Sequence, residues 1–132
     1  MSTLQARPAR IAATVLLILF SGCAGSKKTV NVAAPPGEKV TVQIRASNFA
    51  FDPGVIVARR GDTLVLSVTN VAGEKHNLTV KNPAGQIIKS EDLPSHQTVT
   101  MEIPLDTTGT YPFYCDIDLH TTLGMKGRIE VR

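Results

Sequence analysis

The stretch YPFYCDIDLHTTLGMKG, residues 111–127, sets Cys115, His120 and Met125 at Cys-x4-His-x4-Met spacing. The chain has only two Cys, three His and three Met, and one of each falls within these eleven positions, 115–125. Thiolate, imidazole and thioether all bind soft or borderline transition metals, so the cluster points to a metal site.

The flanking residues show how such side chains could converge. YPFYC reads as a strand ending at Cys115, and KGRIEV as a strand beginning just after Met125. A loop between adjacent strands returns to its start, so its two ends and a residue between them can face one point. The rest of the chain supplies more strands. Val40, Val42 and Ile44 alternate with polar neighbours, as do Leu64, Leu66 and Val68, and again Val99, Met101 and Ile103. This period of two marks half-buried strands. GVIVARRGD is a short β-branched run closed by Gly61-Asp62, and NLTVKNPAGQ reads as a strand and turn. No segment has a helical period. The stretch 83–95 shows little pattern and could hold a helical turn. The expected fold is all-β, a Greek-key antiparallel sandwich of about seven to eight strands. The absence of Trp and of an inter-sheet Cys pair argues against an immunoglobulin domain. Phe49, Phe51, Phe113 and Met101 are expected in the core.

Three segments are expected: a leader over 1–22, a linker over 23–38 and a folded domain over 39–132. Arg7 and Arg10 precede the apolar run IAATVLLILF, which is followed by SGCAGS. A positive start, a short apolar core and small residues form a secretory signal. The run is shorter than the roughly 20 residues of a spanning helix. FSGC resembles a bacterial lipobox, with Phe20 in place of the more usual Leu. That resemblance implies cleavage before Cys23 and a lipid on its sulfur, so the protein is expected outside the cytoplasm, anchored to a bacterial membrane. Cys115 is then the one free thiol. A Cys23–Cys115 disulfide would tie a tail to a strand end and staple no core. The segment AGSKKTVNVAAPPGE, small, polar and Pro-rich, reads as a flexible tether.

The formal charge of +3 sits in the N-terminal segment. Over residues 39–132, ten Lys and Arg balance ten Asp and Glu. No basic patch inside the domain marks a nucleic-acid partner.

Cys, His and a weak axial Met are the donors of a blue-copper electron-transfer site once a second His joins them. His76 and His96 remain. FDPGVIVARRGDTLVLSVTN, then KHN, then YPFYC with His and Met after it, resembles the cupredoxin family, the relatives of plastocyanin and azurin, over about residues 40–132. The resemblance assigns His76, Cys115, His120 and Met125 as ligands of one type 1 copper. It makes Asn77 the residue that reaches across to the ligand loop and holds it closed. His96 falls on no family position and reads as a surface residue. By the same resemblance the His120 ring edge reaches the surface within an apolar rim that includes Leu119 and Leu123, where a redox partner docks. Asp116 and Asp118 would add negative charge near the metal and favour Cu(II).

The expected function is one-electron transfer between extracytoplasmic redox proteins by a monomer. The alternative is copper buffering or delivery, which usually exposes Met and His ligands and needs no closed Cys centre. No enzyme is expected, because three His cannot build a second copper site once two are used, and a binuclear centre needs two Cys in the loop.

Overall fold

The computed structural model describes residues 26–35 and 38–132. Cys23 and the apolar run before it lie outside the described residues. Among the described residues ten strands form two sheets: β1 Thr29–Asn31, β2 Lys39–Ser47, β3 Ala50–Asp52, β4 Val55–Ala58, β5 Thr63–Asn70, β6 His76–Lys81, β7 Ile87–Leu93, β8 Thr98–Pro104, β9 Gly109–Tyr114 and β10 Lys126–Val131. One sheet has the order β1-β4-β10-β9-β6-β7 and the other β3-β2-β5-β8.

The alternating segments bury one face each. Val42, Ile44 and Ala46 of β2 lie beside Leu64, Leu66 and Val68 of β5 on one face of the smaller sheet, and Met101 and Ile103 of β8 join them. Across the gap stand Ile56, Leu78, Val80, Phe113 and Ile129. Removing each such side chain from water contributes about 1.5–3 kcal/mol. Phe51 and Phe113 meet edge to face at 5.5 Å in this core.

The all-β sandwich agrees with the sequence, but four expectations change. Both sheets are mixed. The pairs β1–β4, β4–β10 and β2–β5 run parallel, because connections cross between the sheets. The segment 83–95 holds no helical turn. It contains β7, which pairs antiparallel with β6. As an edge strand exposed along much of its length, β7 carries Lys, Ser, Glu and Asp where a core strand would alternate. Thr29–Asn31, expected in the flexible linker, is the strand β1 at the edge of the larger sheet. Finally, Phe49 is 40 % exposed with φ of 61°. The left-handed turn at this residue sends its ring out of the core.

Strand directions define two ends of the sandwich. β6 and β10 begin at one end, where β9 stops. The loops after Ala58 and Pro104 lie at the other. There the Tyr111 hydroxyl donates to the Thr107 carbonyl and accepts from the Thr107 N–H, each at 3.1 Å, a tyrosine corner that fixes the start of β9.

Candidate metal centre

His76 is placed by Asn70. This fully buried amide donates to the Glu74 carbonyl at 2.8 Å and to the Leu93 carbonyl at 2.9 Å, and its oxygen accepts from the Ala72 N–H at 2.9 Å. The turn 71–75 is thereby closed and β6 starts at a fixed point. Sequence reasoning passed over Asn70. Its signal was an Asn at a strand end, a residue that bonds backbone two positions on.

The loop 115–125 is stitched to itself. The Cys115 N–H donates to the Met125 carbonyl at 3.1 Å, and the Met125 N–H to the His120 carbonyl at 2.9 Å. Thr121 Oγ1 donates to the Cys115 carbonyl. Gly124 turns the loop back with φ of 107°, a conformation that suits glycine. These bonds bring Cys115, His120 and Met125 to one end, and all three are buried.

His76 Nδ1 lies 3.1 Å from His120 Nδ1. Cys115 Sγ stands 3.4 Å from His120 Nδ1 and 4.0 Å from His76 Nδ1. Bonds of about 2.0–2.3 Å, as imidazole and thiolate make to a first-row ion, set such donors about 3.5–3.8 Å apart in a trigonal plane. The observed separations bracket that span, so the residues fit a metal with two N and one S donor. Among the described residues His76 Nε2 is buried without a partner, while Nδ1 faces the cluster. Met125 is fully buried in the adjoining core. His96 is exposed on the loop before β8 and stands outside the cluster.

Burial, and then the neighbouring His120, lower the His76 pKa below its ordinary 6.5. The unfolded chain therefore binds more protons between the two values. The metal-free protein keeps this contribution in full above about pH 6.5 and loses it as pH falls through the lower, folded value. Denaturant midpoints recorded across that window should fall with pH, and less so in His76→Gln.

Asn77 reaches across to the loop. Its Oδ1 accepts from the Asp116 N–H at 2.9 Å and its Nδ2 donates to Asp116 Oδ1. Thr79 Oγ1 donates to Asp116 Oδ2 at 3.1 Å. The Asp116 carboxylate is thus tied to β6 by two hydrogen-bond donors. Asn77→Ala leaves the Asp116 N–H and carboxylate short of partners and should cost about 1–3 kcal/mol. Asn77→Asp, though isosteric, sets a second carboxylate against Asp116 and should cost more. Urea unfolding of the metal-free variants measures both.

Around His120, 8 % exposed, stand Leu119 at 66 % and Leu123 at 57 %. The Phe49 ring packs edge to face on the His120 ring with centroids 5.4 Å apart. Phe49, whose aromatic side chain reads as core from sequence, is instead part of this tip. Only the backbone turn at this position would have revealed it.

Residues 10–130 match the family model described as a cupredoxin-like domain. Plastocyanin of Dryopteris crassirhizoma is 30 % identical over 105 residues, 71 % of this chain and 99 % of that protein. Plastocyanin of Vicia faba is 34 % identical over 102 residues, 70 % of this chain and 99 % of that protein. Auracyanin A of Chloroflexus aurantiacus, described as a "blue" copper protein, superposes with a TM-score of 0.62 at 23 % identity, over 72 % of this chain and all of that one. A multicopper oxidase of Campylobacter jejuni shares the fold at 14 % identity and a TM-score of 0.60, with 74 % of this chain covering 31 % of that one.

Proposed function

The chain belongs to the cupredoxin family, and on that premise we propose that it passes single electrons through one type 1 copper ion held by His76, Cys115, His120 and Met125. The convergence of the His76, Cys115 and His120 donor atoms within 4.8 Å of one another carries this reading. Bound copper supplies a one-electron couple between Cu(I) and Cu(II).

The chain's own residues do the rest. Cys115 would hold the ion through its sulfur as thiolate. The two imidazoles present Nδ1 and must both give up any proton there. The backbone bonds among Cys115, His120 and Met125 hold the donors in one arrangement, which keeps rearrangement small when the charge changes. Asn77 locks the residue next to Cys115. His120 stands between the buried donors and the exposed tip of Phe49, Leu119 and Leu123, so its ring edge is the route between the site and a docked redox partner.

Copper buffering or delivery is the weaker reading, since His76, Cys115 and His120 are all buried and release would require opening the stitched loop. We read the chain as a carrier without a catalytic step of its own, because the third histidine, His96, lies outside the site. We place it outside the cytoplasm, anchored by lipid on Cys23, on the strength of the FSGC pattern after an apolar run.

Copper titration of the purified protein, followed by absorption and EPR, tests the function. The expected result is an intense visible band that saturates at one copper per chain and bleaches reversibly with ascorbate. A pale complex without that band would remove the electron-carrier reading and favour buffering.

A further inference from the structure

The chain enters the fold at the metal end. β1 runs parallel to β4 with Thr29 opposite Val55, and β10 runs parallel to β4 with Arg128 opposite the same residue. Ser26 and Met125 each lie three positions before those partners, at the same end. Side-chain contacts agree. Lys27 Nζ donates to the Lys126 carbonyl. Ser26 and Lys27 line one surface depression with Phe49 and Gly124. The Gly54 and Val55 N–H groups both donate to the Lys28 carbonyl at 3.1 Å.

An apolar and a basic surface meet there. Phe49, Leu119 and Leu123 form the apolar tip. Lys27, Lys28 and Lys126 lie beside it, against Asp52 in the depression and the exposed Asp118 next to Leu119, while Arg128 is paired to Glu130 at 2.8 Å. Apolar side chains flanked by lysines suit the headgroup boundary of a negatively charged membrane.

We propose that the metal end rests on an anionic phospholipid surface, with Phe49, Leu119 and Leu123 against the lipid and the lysines among its headgroups. This rests on the lipid anchor read at Cys23. Cys23 precedes Ser26 by three residues, a span of at most about 11 Å. A six-residue strand such as β10 already covers about 20 Å, so the anchor cannot reach the opposite end while β1 is paired. A redox partner embedded in the same membrane meets the tip directly. A soluble partner must first lift it off the lipid.

The chain has no Trp, so Leu119→Trp is a single reporter at the tip, and Thr108→Trp is its counterpart at the opposite end. Each full-length variant is purified from the membranes of a lipoprotein-processing bacterium. It is then reconstituted into phosphatidylglycerol–phosphatidylcholine vesicles with plain or brominated acyl chains. Comparing the two lipids at equal copper loading cancels quenching by the metal. The expected result is that brominated lipid removes most of the Leu119→Trp emission and leaves Thr108→Trp unchanged. Lys27→Glu with Lys28→Glu, or high salt, should restore the tip signal. Equal quenching of both reporters, quenching of Thr108→Trp alone, or an unquenched tip on vesicle-bound protein would overturn the proposal. Quenching indifferent to Lys27→Glu with Lys28→Glu would overturn the role of the lysines. Protection of the tip in native membranes but not in protein-free vesicles would replace the lipid with a membrane protein. Protein that stays in the aqueous phase would overturn both this orientation and the anchor, and the copper spectrum would still decide the electron-carrier reading separately.

Discussion

Cys115→Ser abolishes the intense visible band of the copper-loaded protein, and copper affinity falls by more than about 100-fold, beyond the loss typical of an outer partner of a metal ligand. The band arises from charge transfer between a thiolate and copper, and Cys115 is the only Cys among the described residues. A serine hydroxyl keeps the shape and supplies no thiolate. It also stays close to His120 Nδ1, 3.4 Å from the present sulfur, so the buried hydroxyl has a partner and the fold should persist. Far-UV circular dichroism matching the parent, beside a colourless copper complex, is the expected pair of results. An unchanged blue spectrum would mean that copper binds elsewhere.

Gly127→Ala should lower stability by about 3 kcal/mol, at the upper end of ordinary overpacking. In a small domain that is a fall of about 12–24 °C in Tm. A Cβ at this position would lie 2.5 Å from Phe113 Cε2, closer still to Cζ, and 2.6 Å from the Gly54 carbonyl oxygen. Neither neighbour gives way easily. Phe113 is fully buried against Phe51, and the Gly54 oxygen accepts the Arg128 N–H at 3.0 Å. The strain falls two residues after Met125, so the copper spectrum should broaden or shift as well. Phe113→Leu removes the ring edge and leaves the carbonyl, so the double variant should regain only part of the loss. Thermal unfolding of the four metal-free proteins gives that coupling directly.

The site was more legible than the frame around it. Donor chemistry is written in residue types, and Cys, His and Met at the ends and middle of one loop are visible without coordinates. His76 needed the family pattern, because a distant His carries no spacing signal of its own. Among the strands, β2, β5 and β8 announced themselves because one face is buried and the other wet. β7 did not, since much of it faces solvent and its composition resembles a loop. β1 is three residues long, too short for any period. Parallel pairing was invisible because alternation records which face is buried and says nothing of a neighbour's direction. Phe49 misled because an aromatic side chain reads as core unless the backbone conformation at that residue is known.

Under the lipid anchor proposed at Cys23, β1 also sets the reach of the molecule. It is a short edge strand, held to β4 over Thr29–Asn31 and by the Val32 N–H to the Val57 carbonyl at 2.8 Å. A pull on the N-terminus acts first on these few bonds, while the core strands behind them carry no load. When β1 peels away and buried Ala34, whose carbonyl accepts from the Arg59 guanidinium at 2.6 Å, follows it, the point of attachment moves to Lys39, where β2 begins at the opposite end of the sandwich. Residues 26–38 then join the leash and lengthen it by about 45 Å. Paired, the strand keeps the protein close and sets its polarity. Released, it lets the copper end swing outward through a larger volume, lowering the effective concentration of any partner fixed in the membrane and opening the tip to partners in solution.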